Sequence, residues 1–214
     1  MEKGWADYIS YISMYSIFLP VLIGLFRLKQ LLGIQKLVGL LVLTSLLAET
    51  GIYLLTVWDI SNLPLIHLFT ALQFTLLSLI LAKALRPLFP ERFFQILIPT
   101  FLGFAIIDAF FLNGLYNFNS FARPLASSIL LFLALSFFYK TLKELKIKSL
   151  EREPLFWLCI GIVIYFSGSL LIFLLTNYVK TSNEVLRTLW GIHAIFNIIL
   201  NTSYSIILWI KPTS

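Results

Sequence analysis

The chain has 214 residues, 59% hydrophobic and 12% charged, with a net charge of +6 and a mean hydropathy of +0.93. Soluble domains carry about 25% charged residues, so too few polar side chains are present to cover a water-exposed globule. A single cysteine, ten glycines and eight prolines also exclude a disulfide scaffold, collagen and disorder. What remains is an integral membrane protein.

A helix crosses the ~30 Å hydrocarbon layer with about 20 apolar residues. Seven stretches meet that requirement in chain order: Ile9–Phe26, Leu37–Trp58, Leu63–Ala82, Phe93–Leu112, Phe121–Tyr139, Pro154–Asn177 and Leu189–Ile210. None alternates apolar and polar residues as a barrel strand does. Lipid offers no partner to an open backbone group, which also favours helices. The expected fold is an all-α, single-domain seven-helix transmembrane bundle over residues 1–214. The first stretch reads as a span and not a signal peptide, because Glu2 and Asp7 flank it and no small-residue cleavage site follows. The longest connection, Lys140–Glu153, reads as an extension of the fifth helix.

Lys and Arg fall unevenly. Arg27, Lys29, Lys36, Lys83, Arg86, Arg92, Lys140, Lys143, Lys146, Lys148, Arg152 and Lys211 lie on one side. Only Lys3, Arg123, Lys180 and Arg187 lie on the other. The positive-inside bias then places the N-terminus outside and the C-terminus in the cytoplasm of a multi-pass membrane protein. The positive charge is read as topology and contact with anionic lipid headgroups, not as a nucleic-acid surface. Trp5, Trp58, Trp157, Trp190 and Trp209 sit near span ends as interfacial anchors.

Any recognition or chemistry must come from polar groups within the spans, where an ionisable side chain costs ~2.5–3.5 kcal/mol or more. On the expected orientation, His67, Asp108, Arg123 and His193 fall in the outer third, and Glu49, Gln73 and Asn197 near the midplane. A polar pocket open to the outside and closed towards the cytoplasm accommodates all seven, so they form the expected ligand-binding set. His193, Asn197, Asn201 and Tyr204 recur at i, i+4, i+8 and i+11, which places them on one face of the last helix. That stripe reads either as ligand lining or as an interhelical hydrogen-bond ladder. Tyr165, Ser167, Gly168 and Ser169 in the sixth span read as small residues permitting close helix packing. Glu49 is either neutral or paired with Arg123 or a histidine, and its role is left open among ligand counter-charge, proton carrier and structural hydrogen bond.

Other chemistries fit less well. With two histidines a three-histidine zinc site is impossible, although a mixed site of Glu49, His67, Asp108 and His193 survives as an alternative, for a metal-dependent lipid hydrolase. No lysine occupies the middle of the seventh span, as retinal attachment requires. Cys159 has apolar neighbours and no base nearby, and phosphate-cradling glycine motifs are absent. No catalytic set and no cofactor are implied. Two three-helix repeats, the signature of many transporters, are not evident, which leaves transport and an accessory-subunit role as further alternatives.

The last span reads LWGIHAIFNIILNTSYSIILWIK, with a Trp-x-x-His-x-x-x-Asn pattern at Trp190, His193 and Asn197, preceded by PLFWLCIGIVIYFSGSLLIF in the sixth. These segments resemble small stand-alone seven-transmembrane proteins of Bacteroidetes, which are in turn similar to the seven-transmembrane sensor modules that precede bacterial histidine kinases. The resemblance implies a receptor-like module that binds a small ligand from the outside. No sensory or output domain is seen in the chain, so the expected partners are membrane lipids and a cytoplasmic signalling protein, or a larger membrane complex. Lys140–Arg152 offers the largest cytoplasmic surface for one, or simply a headgroup-contacting helix extension.

Overall fold

A computed structural model describes residues 4–86, 88–144, 150–178 and 183–210. Among them every regular element is helical, and seven helices are long and apolar enough to cross a membrane. They are α1 (Trp5–Phe26), α2 (Ile34–Val57), α3 (Leu63–Leu85), α4 (Glu91–Ile107, continued by a π turn over Asp108–Leu112), α5 (Ala122–Glu144), α6 (Pro154–Tyr178) and α7 (Asn183–Trp209). The chain is a multi-pass membrane protein. Each expected span is found, with ends displaced by a few residues because polar residues at the ends continue the helical hydrogen bonding. α5 runs on to Glu144, as the helix-extension reading of Lys140–Glu153 anticipates, and a 3₁₀ turn covers Leu150–Arg152. Residues 145–149 of that connection lie outside the described residues, as do Glu2, Lys3, Lys180 and Lys211.

Prolines shape the helices. Pro20 has no N–H to give the Ser16 carbonyl, and the regular ladder of α1 breaks at Ile17 into Trp5–Ser16 and Phe18–Phe26. Pro64 and Pro154 occupy first turns, where a missing N–H costs nothing. The π turn closing α4 is marked by the Asn113 N–H bonding the Asp108 carbonyl at 2.9 Å, one residue beyond the α-helical spacing.

α7 is the central helix. It packs on α6, α1 and α2, while α3 packs on α2, α4 and α5, and α5 closes the circuit onto α6. Small residues bring α6 and α7 together: a Cβ on Gly168 would sit 2.2 Å from the Phe196 ring, and one on Gly161 2.9 Å from Ser203. Packing of this kind holds helices together where lipid removes the hydrophobic drive for association. It accords with the packing reading of the small residues in the sixth span. Phe74, Leu77, Leu133, Leu158 and Ile207 fill the centre, whereas Trp5, Trp58 and Trp209 are exposed at helix ends.

The two ends of the bundle are tied differently. At the C-terminal end, Gln35 Nε2 donates to the Ile207 and Ile210 carbonyls at 2.8 and 2.7 Å, and Arg27 donates to the Leu208 and Trp209 carbonyls. Lys140 Nζ likewise donates to the Ala84 carbonyl at 2.6 Å. The last carbonyls of a helix have no partner within it and carry partial negative charge. Basic residues at this end of the bundle therefore cap helices. At the N-terminal end, Arg187 of α7 forms an ion pair with Asp7 of α1, its Nε 2.8 Å from Oδ1.

Candidate functional site

The polar stripe of α7 is real. His193, Asn197, Asn201 and Tyr204 all line one cavity of about 200 Å³ in the N-terminal half of the bundle. Ser45 and Glu49 of α2 face them, and α3 contributes Gln73. Arg123 comes from the first turn of α5 and Tyr165 from α6. Five helices thus converge, and five of the seven expected ligand residues meet: Glu49, Gln73, Arg123, His193 and Asn197.

Two hydrogen-bond chains organise the walls. On one side Arg123 Nη2 donates to the Tyr165 hydroxyl at 3.4 Å, and that hydroxyl lies 3.4 Å from His193 Nε2. A guanidinium only donates, so the phenol oxygen accepts from Arg123 and links it to the imidazole. The His193 ring stands edge-on between Tyr165 and Trp190, with centroid separations of 5.5 and 5.6 Å. On the other side, Asn197 Nδ2 donates to Glu49 Oε1 at 3.3 Å and to Ser13 Oγ of α1 at 3.0 Å. Asn201 Nδ2 donates to Ser16 Oγ at 2.8 Å. Asn197 and Asn201 glue α7 to α1 at about 0.6 kcal/mol per bond, as the ladder reading expects, and both also line the cavity.

One polar atom stands apart at the cavity. Glu49 Oε2 is buried there without a hydrogen-bond partner. Tyr204 is 1% exposed, and Gln73 is the hydrogen-bonding neighbour of its hydroxyl. A buried acceptor without a donor costs about 1–3 kcal/mol, more when charged.

His67 and Asp108, the other two residues of the expected set, do not line the cavity. Asp108 is fully buried, but its Oδ2 accepts from the Ala122 N–H at 3.0 Å and its Oδ1 from Asn113 Nδ2 at 2.5 Å. It caps the start of α5 from the end of α4. His67 Nε2 lies 3.0 Å from the Asn117 carbonyl. Both side chains hold the connection between α4 and α5, and Asn119 Oδ1 in the same connection accepts from the Arg123 N–H at 3.2 Å. That connection places Phe118 against the cavity, with its ring edge-on to Trp190 at 6.3 Å.

The mixed metal site does not assemble. Glu49, His67, Asp108 and His193 do not cluster, and no group of three or more His, Cys, Asp or Glu side chains suited to a metal occurs among the described residues. Several cavity residues lie outside the expected set, Tyr165, Ser45 and Trp190 among them. Tyr165 was grouped with the packing residues of its helix, Ser45 carries no charge to flag it, and Trp190 was read as an anchor and as part of the pattern with His193 and Asn197, not as a cavity residue. The spacing of Trp190 and His193, three residues apart on one helix face, was the available signal for the last.

No family model matches the chain, and no curated protein or solved structure matches it either.

Proposed function

We propose that this protein is a seven-helix, receptor-like membrane protein that binds a small polar ligand in the cavity between α2, α3, α5, α6 and α7. The observation that carries the proposal is Glu49 Oε2, a carboxylate oxygen buried mid-span at a cavity and left without a donor. An ionisable group at that depth is costly to keep, and a ligand bearing a hydrogen-bond donor or positive charge removes the cost. A volume of about 200 Å³ holds the equivalent of roughly seven waters, which suits a compact molecule.

On the orientation expected from the basic residues, the cavity lies towards the outer side, in keeping with capture of an external ligand. α7 also offers a route for the signal. It carries the cavity stripe near its middle, and its far-end carbonyls are held by Gln35 and Arg27. A ligand that shifts α7 alters those contacts at the cytoplasmic face, where a signalling partner reads them. The support for this route is the two-ended attachment of one helix.

The test is a thermal-unfolding screen of the purified protein against small amines, amino alcohols and polyols. A binder at 100 times its Kd stabilises by about 2.7 kcal/mol. The expected result is at least one saturable stabiliser whose effect disappears in Glu49→Ala and His193→Ala. Stabilisation that survives both substitutions would contradict the assignment.

A further inference from the structure

The cavity does not end at its own walls. Beside it runs an open groove of about 370 Å³ on the flank of the bundle, and Glu49, Ile52, Trp190, His193 and Asn197 line both spaces. The groove is bounded by Ser10, Ser13 and Met14 of α1 and by Tyr53 and Thr56 of α2, and its floor is α7. Its origin is the break at Ile17. Phe18–Phe26 packs on both α2 and α7, whereas Trp5–Ser16 packs on α7, which leaves the N-terminal part of α1 apart from the C-terminal part of α2. Glu49 lies eight residues from the end of α2, about 12 Å deep along the helix. The opening therefore faces the hydrocarbon of the leaflet at the N-terminal end, not the aqueous phase alone.

We infer that this groove is a lateral portal, and that the ligand is a single-chain amphiphile with an amine-bearing polar head, drawn from the bilayer. The inference rests on the receptor reading above and specifies its ligand class. The head matches the unpartnered Glu49 Oε2, which sits where groove and cavity meet. Arg123, the cavity's cation, lines only the inner space, so a positive head at Glu49 is held away from it. Hydroxyls on the same head reach the acceptors and donors of the inner wall, including the Tyr204 hydroxyl. The tail lies between α1 and α2 over Met14, Ile52 and Tyr53. A head without a tail leaves that apolar length unused, and a tail without an amine leaves the carboxylate unpaired.

The experiment uses the full chain in phosphatidylcholine nanodiscs, followed by thermal unfolding with two probes. Sphingosine carries an amino-diol head on one long chain, and serinol is that head alone. The wild type is expected to respond to sphingosine at a total concentration at least about tenfold below that needed for serinol, since the chain concentrates the probe in the membrane. Ser10 is exposed and lines the groove but not the cavity. Ser10→Trp, with Met14→Trp as a second plug, is expected to abolish the advantage of sphingosine and leave serinol unchanged. Glu49→Gln is expected to remove both responses. If serinol stabilises the wild type and sphingosine gains nothing, or if both plugs leave the sphingosine response intact, the portal is overturned and the receptor reading stands. If neither probe acts on the wild type, the amine assignment at Glu49 falls and takes the portal with it.

Discussion

Asp108→Ala is expected to lower the stability of the folded bundle by about 2–3 kcal/mol, the range for losing hydrogen bonds to a charged group in a buried site. Two bonds vanish together, to Asn113 Nδ2 and to the Ala122 N–H. Ala122 is fully buried, so its N–H is left without water as a substitute. Loss of a helix cap alone costs about 0.5–2 kcal/mol. Asp108→Asn keeps one acceptor for the Ala122 N–H and should cost under about 1 kcal/mol. Equilibrium unfolding of the two variants in detergent checks the order. Equal losses would mean that charge, and not capping, is what Asp108 contributes.

Glu49→Gln should do the opposite. Removing an ionisable group from mid-span relieves an insertion cost of ~2.5–3.5 kcal/mol when it is charged, so the unliganded protein is expected to unfold at a higher temperature than the wild type. Its ligand response is expected to be lost, because truncating one partner of a buried charge contact costs about 2–5 kcal/mol of binding. At 1.4 kcal/mol per tenfold, affinity falls by roughly 30-fold or more. Stability gained with function lost is the usual signature of a strained binding site. A Glu49→Gln protein less stable than the wild type would instead mark Glu49 as structural, through its bond to Asn197.

The contrast between these two carboxylates shows what the sequence makes legible. Span number and position follow from hydropathy, since a bilayer tolerates almost nothing but helices of about 20 apolar residues. The stripe from His193 to Tyr204 follows from helical periodicity and lies on the cavity as expected. Asp108 and His67 did not resolve, because depth along a helix says how costly a polar residue is but not which way it points. Asp108 serves Ala122, fourteen residues away across a connection, and His67 serves the Asn117 carbonyl on that same connection. Such partners depend on how the connection folds, which periodicity does not encode. Tyr165 was hidden for a similar reason: its role comes from lying between Arg123 and His193, which belong to two other helices. The groove was hidden as well, although the Pro20 that breaks α1 was visible from the start.

The central claim is that these residues surround a solvated binding cavity and not a sealed polar seam. Ser45 and Ser78 are both buried, but Ser45 lines the cavity and Ser78 does not. Cys159 is fully buried, which keeps the background of thiol labelling low. Reaction of Ser45→Cys and Ser78→Cys with a small cationic methanethiosulfonate in nanodiscs therefore tests the claim directly. The account predicts rapid modification of Ser45→Cys, slowed when Glu49→Gln is added, and no modification of Ser78→Cys. A Ser45→Cys protein as inert as Ser78→Cys would contradict it.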